Sequence, residues 1–136
     1  MMKKFLTLIS AVFILLSAAE SACAEIWLPA GWKQDRSLSG SNRKVFRNNT
    51  TQGSLEYDIV PAEGHNAKLI AMALANKANC FRIEDAGNSY VITCDHIDTF
   101  TRVAVHNDTA YISTIICHDQ ATCDSAVEIL KSIDDQ

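Results

Sequence analysis

Residues 54–60 alternate Ser-Leu-Glu-Tyr-Asp-Ile-Val, the period-two pattern of a strand with one face buried. Residues 44–47 precede it across Asn48-Asn49-Thr50-Thr51-Gln52-Gly53, a spacer rich in turn formers. The two runs therefore predict an antiparallel pair, and Pro61 ends the second strand. The period then changes. Residues 67–78, AKLIAMALANKA, are strong helix formers and follow Asn66, a good N-cap. Leu69, Ile70, Met72, Ala73 and Lys77 are spaced for a buried stripe with a polar margin. Further on, residues 99–105 and 110–116 predict a hairpin around Asn107-Asp108, and Thr122 is placed to cap a last helix over 123–133. Val127, Leu130 and Ile133 of that helix are expected to face the sheet. Upstream, EIWLPAGW over 25–32 reads as an extended apolar lead-in broken by Pro29 and Gly31, and 33–43 as polar and turn-rich. The pattern as a whole predicts one α+β domain, an antiparallel sheet in the order β-β-α-β-β-β-β-α with two packing helices.

The segment CFRIEDAGNSYVITC, residues 80–94, holds another hairpin with a cysteine at each end. A three-residue loop, Ala86-Gly87-Asn88, sets Asp85 opposite Ser89, Ile83 opposite Val91, Phe81 opposite Thr93, and Cys80 opposite Cys94. Asn88 suits the left-handed position of such a loop. Phe81, Ile83 and Val91 then share a face and are expected in the core. Opposed strand residues lie within disulfide reach. Cys80–Cys94 is therefore the expected bridge, and Cys117–Cys123 closes a second, smaller loop.

An oxidising compartment is also what the chain start implies. Lys3 and Lys4 precede an apolar run over 5–16, and Ala22-Cys23-Ala24 fits a small-x-small cleavage site. We read residues 1–24 as a secretory signal peptide of bacterial style and 25–136 as the exported domain, periplasmic or secreted. The rival reading, a lipid anchor on Cys23, is disfavoured by Glu20, where lipoprotein signals carry an aliphatic residue. No span of the mature chain is expected to cross a membrane.

Charge narrows the partner. Removing Lys3, Lys4 and Glu20 with the leader leaves 10 basic and 15 acidic residues, net −5. Lys33, Arg36, Arg43, Lys44 and Arg47 crowd the first quarter; from Asn48 onward there are 5 basic and 13 acidic residues. Nucleic acid and anionic membrane are poor partners for such a body. The basic stretch is either a solvated loop folded onto the acidic body or a docking loop for an acidic partner, with Arg36, Arg43, Lys44 and Arg47 as its contacts.

Candidate chemistry is sparse. Cys94-Asp95-His96 and Cys117-His118-Asp119 resemble metal-ligand clusters, with His65 and His106 as further imidazoles. Paired-cysteine spacing is missing from both, and oxidation removes the thiolates, so no metal and no other cofactor is expected. Gly-x-Ser-x-Gly is absent, and no free cysteine remains as a nucleophile. The paired carboxylates Glu84-Asp85, Asp95/Asp98 and Asp134-Asp135 sit at turns or a terminus. Asn48-Asn49-Thr50-Thr51 and Asn107-Asp108-Thr109 contain glycosylation sequons, read here as turns. The chain is therefore expected not to be an enzyme.

The element order resembles the Mog1/PsbP/DcrB-like fold, whose members often begin with a phrase like Leu28-Pro29-Ala30-Gly31-Trp32 and close on a helix like AVEILKSI over 126–133. That resemblance implies a non-catalytic binding or assembly role and brings no functional residues with it. The favoured expectation is a small exported protein-binding module: an inhibitor, an immunity protein or an accessory protein of the bacterial envelope. Its partner would be another exported or envelope protein, a toxin or cell-wall enzyme among the candidates. The alternatives are an envelope assembly or stress factor, and behind it a small hydrolase. Loops on a rigid scaffold are where binding residues concentrate. Asp85, Asn88, Tyr90, His106, Asn107, Asp108, Tyr111, His118 and Asp119 are therefore the candidate contacts, with the tyrosines as amphipathic anchors. The competing reading packs both tyrosines on the sheet and leaves the loops only to turn the chain.

Overall fold

The alternating runs pair as antiparallel neighbours in the computed structural model, which describes residues 28–80, 82–94 and 98–134. The strands are β1 (Trp32–Gln34), β2 (Arg43–Asn48), β3 (Gly53–Pro61), β4 (Arg82–Asp85), β5 (Tyr90–Thr93), β6 (Thr99–His106) and β7 (Thr109–Ile116). Helix α1 (Ala67–Ala78) lies between β3 and β4, and α2 (Gln120–Asp134) follows β7. All strands join one sheet in the order β1-β2-β3-β7-β6-β5-β4. The α+β class and element order are as expected, with one addition. β1 straddles the end of the apolar lead-in and the start of the stretch read as turn-rich, because Trp32 is buried and carries Lys33 and Gln34 into register with Arg47 and Phe46. The leader expected over 1–24 and the cleavage site lie outside the described residues.

Local chemistry fixes the turns. Asn48 is buried, and its Oδ1 accepts the Thr50 and Thr51 N–H groups at 3.1 Å, closing the β2–β3 connection. Asn107 and Asp108 have φ of 52° and 57°, the left-handed pair of a two-residue hairpin turn. Asn66 caps α1 by accepting the Leu69 N–H at 2.9 Å. At the other end Asn79 takes the left-handed conformation, and the Cys80 N–H bonds back to the Ala75 carbonyl at 2.9 Å. This helix stop delivers Cys80 directly to its disulfide.

Both expected bridges are present, Cys80–Cys94 and Cys117–Cys123. They are consistent with an oxidising, exported location. The hairpin between Cys80 and Cys94, however, is shifted by one residue from the expected register. Arg82 faces Thr93, Ile83 faces Ile92, Glu84 faces Val91 and Asp85 faces Tyr90. The loop has four residues, closed by the Ala86 N–H on the Ser89 carbonyl at 2.8 Å. Its left-handed residue is Gly87, φ +96°, not Asn88; the Asp85 carboxylate accepts the Gly87 N–H at 2.9 Å and holds the bend. Ile83 and Ile92, rather than Ile83 and Val91, therefore point together into the core. Phe81 lies outside the described residues.

The helices cover opposite faces of opposite halves of the sheet. α1 packs over β4, β5 and β6, burying Ala71, Ala75, Cys80, Ile92 and Val103. α2 packs over the other face, where Trp32, Phe46, Leu55, Tyr57, Ile115 and Cys117 meet Ala126, Ile129 and Leu130. Each disulfide thus belongs to one of the two clusters. The buried side of α1 differs from the expected stripe. Ala67, Ile70, Ala71, Leu74 and Ala75 face the sheet, while Leu69 and Met72 are about half exposed, at 50 % and 49 %. Alanines at four-residue spacing let the helix axis come close to the strands, with Ile70 and Leu74 flanking them and Leu69 and Met72 turned outward. For α2 the expectation that Val127, Leu130 and Ile133 face the sheet is met, but the cap is Asp119 rather than Thr122. The Asp119 carboxylate accepts both the N–H of Thr122, at 2.8 Å, and its hydroxyl, at 2.9 Å. That cap starts α2 three residues earlier than expected.

Candidate functional site

Sheet direction sorts the candidate loops into two groups. Pro61 of β3 aligns with Thr109 of β7, which faces His106 of β6, and the β4–β5 turn lies beyond Asp85 and Tyr90 on the same side. The turns 86–89 and 107–108 and the segment 62–66 therefore converge at one end of the sheet. Asp108 ties two of them together: its carbonyl accepts the Ala62 N–H at 2.9 Å and its carboxylate the Gly64 N–H at 2.8 Å. Between the first turn of α1 and the β4–β5 turn lies an open depression of about 410 Å³. Asn66, Ala67, Lys68, Gly87, Asn88, Tyr90 and Val105 line it. Ala67 and Val105 are its aliphatic members, and Lys68, Tyr90, Asn66 and Asn88 its polar ones. Of the depression's residues the sequence pointed to Asn88 and Tyr90. Val105 joins them through the β5–β6 pairing, and Asn66 and Lys68 through the packing of α1 over β4–β6, long-range contacts that no local pattern encodes.

His118 and Asp119 lie at the opposite end, past the last residue of β7. Both disulfides are also at that end, since Cys80 and Cys94 flank the open end of the β4–β5 hairpin. The bridges therefore do not hold the turns 86–89 and 107–108, and Cys117–Cys123 encloses the 118–122 loop instead. His118 Nδ1 is 2.9 Å from the Asp98 carboxylate, joining the segment before β6 to the smaller disulfide loop. The hydrogen bonds from the Thr122 N–H and hydroxyl hold the Asp119 carboxyl below its ordinary value, with a smaller contribution from His118. Tyr90 and Tyr111 are on opposite faces: Tyr90 packs against the α1 cluster and Tyr111 against the α2 cluster. Both are partly buried, so sheet packing accounts for most of each ring.

The basic stretch does not form one patch. Arg43 Nη2 bonds the Glu56 carboxylate at 3.0 Å and Arg43 Nε lies 3.7 Å from Asp58. Arg47 Nε is 3.0 Å from Asp35. The Ser37 hydrogen bond first, and then the one from Arg47, lower the Asp35 carboxyl from its ordinary value. Lys44 pairs across from Tyr57, so strand alternation sends its side chain to the other face from Arg43 and Arg47, while Arg36 is exposed in the β1–β2 connection. Two of the four cations are thus spent on the chain's own acids, Arg43 on the acidic body and Arg47 on Asp35 within the same stretch.

All four described cysteines are bridged, and among the described residues no group of three His, Cys, Asp or Glu side chains converges to hold a metal. Asp95 and His96 lie outside the described residues. No helix among the described residues is long and apolar enough to cross a membrane. No protein-family model matches the chain, and neither a curated protein nor a solved structure matches it significantly.

Proposed function

We propose that the chain is an exported, non-catalytic protein-binding module of the bacterial envelope, acting as an inhibitor, an immunity protein or an accessory protein. Its contact surface is the end of the sheet where the turns 86–89 and 107–108 meet the start of α1. The observation that carries this reading is the convergence there of three segments far apart in sequence, two of them tied together by Asp108, beside an open depression between the start of α1 and the 86–89 turn. Contacts held in place before binding lose less entropy when the complex forms. Glu63, Glu84, Asp85 and Asp108 outnumber Lys68 and Arg102, whose Nε donates to the Ser89 hydroxyl at 3.1 Å, so this end is net acidic and favours a partner with a basic face. The internal pairing of Arg43 and Arg47 weighs against the basic stretch as the docking loop.

Site-specific photocrosslinking in cells that export the protein tests it. A crosslinker at Asn88 or Asn107 is expected to trap one discrete protein adduct, and one at Arg36 none. Adducts formed only from Arg36 or Lys44 would move the binding surface to the basic stretch. Steady turnover of an envelope substrate, lost on changing Asp85 or Asp98, would replace the binding role with a hydrolytic one.

A further inference from the structure

The outer face of α1 is a second surface that the loop-end reading does not use. Residues advance by about 100° per position around a helix. With Ala67, Ile70, Ala71, Leu74 and Ala75 against the sheet, Leu69, Met72, Ala73 and Asn76 fall on the opposite side. Leu69 and Met72 are the two most exposed large apolar side chains among the described residues. Lys68 and Lys77 fall on either flank of this seam, nine positions apart, or about 13 Å along the axis. Neither makes an ion pair among the described residues. The helix contains no acid, whereas from Asn48 onward the rest of the chain has 3 basic residues (5 less these two) and 13 acidic ones. An uncharged seam flanked by two lysines is thus set into an acidic body.

We propose that this face docks an amphipathic helix of a partner protein, whose apolar stripe covers Leu69 and Met72 and whose flanking carboxylates reach Lys68 and Lys77. Charge decides the occupant. Symmetric pairing of α1 with a second copy sets lysine against lysine. An anionic membrane meets two lysines but is repelled by the acidic body around them. An acidic helix satisfies both flanks, and its apolar stripe removes two half-exposed side chains from water. The inference concerns a different face from the loop end and the opposite sign of partner charge, with only Lys68 shared.

The test uses a short designed helix with a leucine stripe flanked by glutamates, and a twin flanked by lysines, titrated against the exported domain by fluorescence anisotropy. The glutamate peptide is expected to bind about tenfold or more tighter than its twin, with the difference shrinking at high salt. Leu69→Asp or Met72→Asp should weaken it about tenfold or more, the scale set by losing a central apolar anchor. Lys68→Glu with Lys77→Glu should reverse the peptide preference. Leu69→Gln replaces Leu69→Asp if the charged variant lowers the melting temperature. Asn88→Ala and Asp85→Asn should leave peptide binding unchanged, so failure of the loop-end reading and failure of this one read out separately. Equal binding of both peptides, binding of neither, or binding insensitive to Leu69 and Met72 overturns the proposal. So does a dimer that Leu69→Asp disperses in sedimentation, or co-flotation with phosphatidylglycerol vesicles that the lysine reversals abolish.

Discussion

Gly53 at the start of β3 lies directly beneath Thr122 of α2, so close that a Cβ on residue 53 would overlap the Thr122 Cγ2 methyl. Thr122 cannot easily yield, because its hydroxyl is held by Asp119 and it is buried. Gly53→Ala is therefore expected to destabilise the fold by about 1–3 kcal/mol through overpacking. Thr122→Ser removes the methyl and keeps the hydroxyl, so the double variant should regain most of the loss. Urea melts of the four proteins measure the coupling, and purely additive losses would show that the contact is relieved elsewhere.

The two disulfides close loops of different length, with sequence separations of 14 and 6. By the chain-entropy treatment the larger is worth about 3 kcal/mol and the smaller about 2–2.5 kcal/mol. Replacing Cys80 and Cys94 by alanine should therefore lower stability more than the same change at Cys117 and Cys123. Non-reducing peptide mapping checks the connectivity, and chemical denaturation of the two double variants checks the order.

Asp119 links stability to pH. Its carboxyl sits below the ordinary 3.8 in the folded chain, because the Thr122 N–H and hydroxyl favour the charged form. A lowered carboxyl gives stability that is present above its unfolded value and is lost as pH falls through its folded value. The melting-temperature gap between the native protein and Asp119→Ala should thus be constant near neutrality and narrow on acidification below 3.8. A gap that persists unchanged into strong acid would mean that the hydrogen bonds, not the charge, carry the cap.

Chelation should leave the protein unaffected. The four cysteines are oxidised, so the sulfur ligands of both sequence clusters are already committed. Thermal melts with and without a strong chelator are expected to superimpose. A drop on chelation together with stoichiometric zinc would require His118 and Asp98 to act with residues outside the described set.

Turn chemistry and helix caps carried most of the fold into the sequence. Asn66 marks a boundary by capping its own helix, Pro61 by lacking an N–H and Asn107-Asp108 by taking the left-handed conformation, so all are readable locally. The β4–β5 register was not, because Val91 and Ile92 are adjacent β-branched residues and either can take the core side. The choice went to Ile92 through Asp85 and Gly87, which make a four-residue loop cheaper than a three-residue one. The α1 face was misread for a related reason. Apolar size points to Leu69 and Met72, but the distance between helix and sheet selects Ala71 and Ala75. The candidate site was legible only in part, since Asn88 and Tyr90 come from one hairpin while Val105 reaches it through the β5–β6 pairing and Asn66 and Lys68 through the docking of α1.

The diagonal placement of the helices gives the sheet two separately covered halves, joined where Phe100 of β6 packs into the α2 cluster and Ile112 of β7 into the α1 cluster. One holds β1, β2, β3 and β7 with α2 and Cys117–Cys123; the other holds β4, β5 and β6 with α1 and Cys80–Cys94. Within the sheet they meet only along the β6–β7 ladder, from Thr99–Ile116 to His106–Thr109. Local opening in such an arrangement is expected to run in two blocks. Reducing one disulfide should speed amide exchange across its own helix and strands and leave the other block slow. The β6–β7 amides, shared by both, would then report the last cooperative step and exchange only when the whole chain unfolds.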